Sequence, residues 1–373
     1  MVHFLRFFRI YVVVICCILI ILFAVLLFLE KGKEESIPNY QFGSGLSVKD
    51  FGAKGDGETN DSSAIQEAIR NLEKKGGGVL YFPKGNYLIT SSININKNIQ
   101  VKGEGKYNSI LKLNGPIKAI DLSSKIAKLG VTIESLGIVG TGEKGQIGID
   151  AYYFVNGSRI QDVRIENVDT GIRLAKVWYA SLNDIYINRC KNYGLHIMSL
   201  SEKEQVNGMR FSSIFIQSAK NAVFLEGQSV SMGIHFDSST FEKSRETAII
   251  SRGISPLLFT SCYFEANYQE AKNKELLTWS SPIDIKIEGT KFQTLVKFDS
   301  CYFTSRNDFL ESKEKTRLYI GENTIATITN SRFVTKGQEY LESNIFSDSK
   351  FEPSIINITE DGASKQNLIN KIQ

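Results

Sequence analysis

The 373-residue chain has no long basic run, no cysteine framework and very little histidine. Its 44 Lys and Arg against 40 Asp and Glu leave a net charge of +4 and a pI near 8.6. So mild an excess does not call for nucleic acid, while an anionic glycan stays permitted. Cys16 and Cys17 fall within an apolar run, so only Cys190, Cys262 and Cys301 remain for the body, and no disulfide framework can be read from them. Of the three histidines, His3 precedes that apolar run, leaving His196 and His235. Helical spacing of apolar residues is also missing after Ile99, where short β-rich runs take over.

What is present begins with residues 10–29, an uncharged stretch dominated by Val, Ile, Leu and Phe. At about 1.5 Å per residue it is long enough for a bilayer core of roughly 30 Å. A cleaved signal peptide and a buried helix are the alternatives. The run exceeds a usual signal core, and its exit, LEKGKE, has no small-x-small cleavage pattern. We therefore expect a short N-terminal tail over 1–9, one transmembrane signal anchor over 10–29 contacting the lipid bilayer, and a flexible linker over 30–45. Arg6 and Arg9 balance Lys31 and Lys33, so the very short tail and its amine decide for N-inside. The protein is then a single-pass membrane protein with its body outside the cytoplasm.

Residues 46–89 read LSVKDFGAKGDGETNDSSAIQEAIRNLEKKGGGVLYFPKGNYLI. Gly52, Gly55 and Gly57 allow positive-φ turns. Ser63 and Gln66 have capping-box spacing, with Asn60 or Asp61 as alternative caps, and Ile65, Ala68, Ile69 and Leu72 share one helical face. Gly76, Gly77 and Gly78 end this helix, a strand follows over 79–82, and residues 83–86 turn into a second strand over 87–89. The segments DFGAKGDGETND, AIQEAI, GGGVLYFP and KGNYLI, in that order, resemble the N-terminal signature of the pectate-lyase-like superfamily. The resemblance implies an all-β fold, a right-handed parallel β-helix over 46–360, with the short helix capping its open end; residues 361–373 are polar and lack the coil pattern, which makes them a frayed tail or a cap over the last coil. Polygalacturonase-like hydrolases, polysaccharide lyases, uronate epimerases and phage tailspikes share this opening, so it does not fix a reaction. The paired-aspartate, Gly-His-Gly and Arg-Ile-Lys motifs of polygalacturonase-like hydrolases do not occur in the sequence. Neither does the Asp-Pro-His motif of mannuronan epimerases, nor an aspartate cluster suited to calcium. No catalytic residue carries across, and nothing calls for a cofactor or a metal.

The body repeats. IESLGIVG, IQDVRIEN, LNDIYINR, FSSIFIQS, FDSSTFEK, FTSCYFEA, FDSCYFTS and ITNSRFVT start at residues 133, 160, 182, 211, 236, 259, 298 and 328. Most intervals suit one coil, and the longest holds an insertion between Asn267 and Pro282. The first, fourth and sixth columns are apolar or small and must face inward; Cys262 and Cys301 stack there as core residues. The second and third columns, with Asp162, Asn183, Asp184, Ser261 and Ser300, suit a tight corner.

Alternation makes the fifth and seventh columns outward. The fifth carries Tyr186, Phe215, Tyr263 and Tyr302; the seventh carries Glu166, Gln217, Glu242 and Glu265. Aromatic faces beside amides and carboxylates suit a sugar chain, although ordinary β-propensity on a solvated face gives the same composition. Glu242 and Glu265 fall on successive coils, roughly 4.8 Å apart at the backbone. Glycoside hydrolysis uses such a pair, at about 5–5.5 Å for retention and 6.5–9.5 Å for inversion. His235 points outward in a column with Arg210 and Lys297, a cationic strip for a uronate or sulfate, and it or Asp237 would supply an assisting charge. The sequence thus leads to a membrane-anchored polysaccharide-active protein that cleaves a cell-surface or capsular glycan, as hydrolase or lyase. The alternative is a non-catalytic glycan-binding or structural solenoid, a homotrimer as tailspikes are.

Overall fold

Backbone hydrogen bonding runs from coil to coil. In the computed structural model, which describes residues 45–123, 125–201, 203–227, 232–265, 267, 283–288, 293–304, 316–334, 345–356, 358–361 and 369–371, the chain is an all-β parallel solenoid with little helix. One side is an eleven-stranded sheet, and a broader sheet bends round the rest of the core. The anchor, its tail and the linker up to residue 44 lie outside the described residues, as does the insertion beyond Asn267. Among the described residues no helix is long and apolar enough to cross a membrane.

The helix Ser62–Lys74 buries Ile65, Ala68, Ile69 and Leu72, the face read from the sequence. Its capping differs from the expected Ser63–Gln66 box. Asp61 takes the N-cap position, but its carboxylate accepts from Lys54 N at 2.6 Å and Gly55 N at 3.0 Å, closing the glycine loop instead. Gln66 reaches across to both backbone groups of Asn94, at 3.1 Å each, and so fastens the helix to the first coils. At Gly77 the backbone has φ +129°, and a Cβ there would stand 2.4 Å from the Asn98 carbonyl, so glycine is required. The strands Gly78–Phe82 and Gly85–Ile89 do not form a hairpin; Leu80 pairs with Val101 and Tyr87 with Leu111, one coil on.

From Ile133 to Ile328 the first column pairs in the register the repeat predicts, residue by residue. The ladder extends further, back through Val101 and Leu80 to Leu46 and forward to Ile355. The early coils escape the periodicity because the chain leaves the sheet between Gly103 and Ser109, splitting the repeat unit. Ile369–Lys371, within the expected tail, pairs with Ile345–Ser347 as a further strand.

The third column makes the corner. Ser135, Asp162, Asp184, Ser213, Ser238, Ser261, Ser300 and Asn330 all adopt φ between 47° and 56°. Short polar side chains tolerate this left-handed region better than apolar ones do. One such residue per coil turns the chain round the core, so the columns on either side of it both point inward. Against that corner Phe211, Phe236, Phe259 and Phe298 stack at 4.5, 5.2 and 4.9 Å, and Phe241, Phe264, Phe303 and Phe333 at 5.3, 5.0 and 4.5 Å. The two ladders meet edge to face at 5.8–5.9 Å. The fourth column shrinks to Ser239, Cys262, Cys301 and Ser331 where they meet, which keeps the core volume constant. Cys262 and Cys301 are free and buried, and the Cys301 sulfur together with burial pushes the Cys262 thiol upward, away from reactivity.

One inward position is out of character. Lys128 pairs with Phe154 in a column that continues through Val177 and Val206, and it is fully buried, its Nζ donating to the Ile126 carbonyl at 2.7 Å. Burial lowers its pKa from 10.5 to about 8. Below pH 8 the amine is charged in both folded and unfolded chains and the full penalty is felt. Between pH 8 and 10.5 the unfolded chain holds more protons, so stability rises with pH. Lys128→Met is expected to raise stability at pH 7 by about 3 kcal/mol at most, and to flatten that rise. Denaturant unfolding of both proteins across this pH range checks it.

Candidate functional site

Beyond the corner, positions alternate out, in, out, so the fifth and seventh columns face outward as expected. The fifth is not a continuous aromatic ladder. Tyr186 stacks on Phe215 with centroids 5.4 Å apart, and Tyr263 on Tyr302 at 5.2 Å, planes within 22°. Thr240 stands between the pairs, in register with Phe215 on one side and Tyr263 on the other. Stacking uses up the inner ring faces. It leaves Phe215 and Tyr263 facing one another across two coil spacings, roughly 9.6 Å, with Thr240 as the floor. Carbon contacts of about 3.5–4.0 Å on each side leave that slot the thickness of one flat ring. Arginines close the column at its ends, Arg332 lying 5.7 Å over Tyr302 and Arg164 5.1 Å over Tyr107.

The seventh column lines the slot. Glu242 and Glu265 are in register on adjacent coils. Glu242 accepts from Gln217 Nε2 at 2.5 Å and from Lys243 Nζ at 3.0 Å, and Tyr186 OH donates to Gln217 Oε1 at 3.5 Å. Tyr263 is hydrogen-bonded to Glu265; burial, then the charge and hydrogen bond of Glu265, push its phenol up to about 12, so it stays a donor. Glu166 belongs to the same column but lies three coils away from Glu242, buried between Arg164 and Arg189, in an ion-paired structural setting.

His235, Asp237 and Arg210 are not brought to this strip. They precede the corner at Ser238, and because Phe236 and Ser239 on either side of it both point inward, the outward faces diverge there. The expected assistance of Glu242 and Glu265 by His235 or Asp237 is therefore not formed. His235 sits 3.0 Å from Thr260 Oγ1 and in register with Arg210. Burial, helped by Arg210 and opposed by Asp237, lowers its pKa below the ordinary 6.5. The cationic strip is also shorter than expected: Leu258 separates His235 from Lys297, which pairs with Asp299 at 3.7 Å.

A charged face not foreseen from the sequence covers the eleven-stranded sheet. Asp150 accepts from Arg173 at 2.8 and 2.6 Å and from Lys118 at 2.6 Å; Arg252 and Lys286 pair with Glu288; His196 lies 3.4 Å from Glu226. These charges neutralise one another in place. The signal was there in IGIDAY, TGIRLA and YGLHIM, whose glycines repeat because coils approach closely: a Cβ on Gly148 or Gly171 would meet the next coil's carbonyl at 2.6 or 2.5 Å.

Fold and face together define a parallel β-helix whose outward aromatic and acidic columns form the candidate site. Residues 45–135 match the family described as Rhamnogalacturonase A/epimerase, pectate lyase-like. Alginate lyase 7 of Azotobacter vinelandii is 42% identical over 74 residues, 18% of this chain and 9% of that protein. The chain thus spans under a tenth of that relative. Two solved structures share the solenoid: the Acinetobacter baumannii phage AM24 tailspike (TM-score 0.61, 13% identity, 88% of this chain and 56% of that one) and the Streptococcus pneumoniae surface protein and adhesin PfbA (TM-score 0.59, 15% identity, 88% and 100%). At such identities these structures speak to fold alone. Over residues 45–135 the chain is thus similar to pectate-lyase-like proteins, and its described residues share the parallel β-helix fold of these structures.

Proposed function

We propose that the chain is a polysaccharide-active β-helix that holds a glycan along the face of Tyr186, Phe215, Tyr263 and Tyr302, with one sugar ring seated over Thr240. The observation that carries this is the two-coil gap between the facing rings of Phe215 and Tyr263, lined by Gln217, Glu242 and Glu265. Aromatic rings on both sides match the two faces of a pyranose, and the amide and carboxylates match its hydroxyls. Cleavage follows if Glu242 and Glu265 act as the acid and the base or nucleophile; their in-register spacing of about 4.8 Å suits a retaining pair better than an inverting one. Binding without cleavage is the second reading, favoured by the prior engagement of Glu242 with Gln217 and Lys243. Similarity to an alginate lyase over 74 residues supports a glycan as the ligand in either case. The same proposal keeps the domain outside the cytoplasm, held to a membrane by residues 10–29.

Three outcomes are expected. Glu242→Gln and Glu265→Gln each lower reducing-end release from an acidic glycan panel at least about 100-fold with the fold intact; release that neither change affects removes them from catalysis. Thr240→Tyr completes the ring ladder, leaves the melting temperature unchanged and weakens glycan retention at least about tenfold in affinity electrophoresis. Unchanged retention would place the glycan elsewhere. The full chain stays with membranes through alkaline carbonate extraction, and its release into the supernatant would rule out the anchor.

A further inference from the structure

A second aromatic surface lies at another corner of the solenoid, where the eleven-stranded sheet gives way to the short strands Phe154–Val155 and Val177–Trp178. Left-handed residues bracket these strands on both sides: Tyr153 stands at the bend before the first, in the column of Lys176, and Tyr179 at the bend after the second, in the column of Asn156, with φ of 56° and 50°. Bulky aromatic side chains are unfavourable in that region, and at the Ser238 corner the chain uses only Ser, Asp and Asn. Tyr179 is 68% exposed. A Cβ placed on Gly208 would come 2.7 Å from Cδ1 and 2.9 Å from Cε1 of the Tyr179 ring, so the ring packs over a position only glycine leaves open. Trp178 meets Tyr153 edge to face at 5.6 Å. Lys176 holds its ammonium 3.8 Å over the Tyr153 ring and is ion-paired to no carboxylate among the described residues.

We propose that Tyr153, Trp178 and Tyr179, with Lys176, form a surface binding site for an acidic glycan, separate from the slot over Thr240. The exposed ring of Tyr179, next to the half-buried rings of Trp178 and Tyr153, offers flat apolar area at little conformational cost, which suits the C–H face of a pyranose. The ammonium of Lys176, kept beside the Tyr153 ring with no carboxylate partner among the described residues, supplies the charge for a uronate on the same sugar. Tyr152 lies next to this surface, its ring 6.0 Å from the Lys176 ammonium and its hydroxyl donating to Glu204 at 2.5 Å. The site does not depend on Glu242 or Glu265, because residues Arg159–Gln161 and the left-handed corner at Asp162, with their counterparts on the following coils, separate it from the fifth and seventh columns.

The test uses the full chain carrying Trp279→Phe, which leaves Trp178 as its sole indole. Tryptophan emission is titrated with a tetramer of galacturonate and with a neutral tetramer of glucose. A saturable change with the uronate is expected, weakened about tenfold by Tyr179→Ala and retained in Tyr179→Phe. Lys176→Gln should abolish the preference for the acidic over the neutral tetramer, whereas Glu242→Gln and Thr240→Tyr leave the titration unchanged. Emission that answers neither tetramer at millimolar concentration overturns the proposal. So does equal loss in Tyr179→Phe and Tyr179→Ala, or a titration that Thr240→Tyr abolishes, which would assign the signal to the slot. Circular dichroism of each variant separates lost binding from lost fold.

Discussion

Everything in this solenoid depends on one residue per coil entering the left-handed region. From Ser135 to Asn330 that residue bends the chain within a single peptide step, so apolar columns before and after it close on one interior. A wider turn would separate the two phenylalanine ladders, whose edge-to-face contacts need the tight bend. The small fourth column follows from the same geometry, since two aromatic rings converging on one corner leave room there only for Ser or Cys.

The corner also decides where chemistry can be assembled. Outward side chains on opposite sides of a convex bend point apart, which removes His235 and Asp237 from the strip of Glu242 and Glu265. Along one strip the coil spacing takes over, and residues meet only their in-register neighbours. A single change of residue type is therefore enough to shape a site. Thr240 interrupts a column of aromatics and turns stacked rings into facing ones.

The inward columns were legible in the sequence because burial imposes one residue class on every coil; their register, the corner residues and the buried face of the first helix follow from that alone. The outward side was legible in composition only. Thr240 is plain in the repeat, but its meaning needs the orientation of the rings above and below it. Gln66 has capping spacing and still spends its amide on Asn94, a partner brought near only by the fold. Leu258, which breaks the cationic strip, sits on the coil between His235 and Lys297, and the left-handed settings of Tyr153 and Tyr179 at two neighbouring bends are backbone dihedrals no periodicity reports.

The account turns on the slot between Phe215 and Tyr263. Its most direct test is a crystal structure of the protein with an acidic oligosaccharide that it retains. The expected density is one sugar ring over Thr240, parallel to both aromatic rings and within hydrogen-bond reach of Gln217, Glu242 or Glu265. An oligosaccharide bound with that slot empty would contradict it.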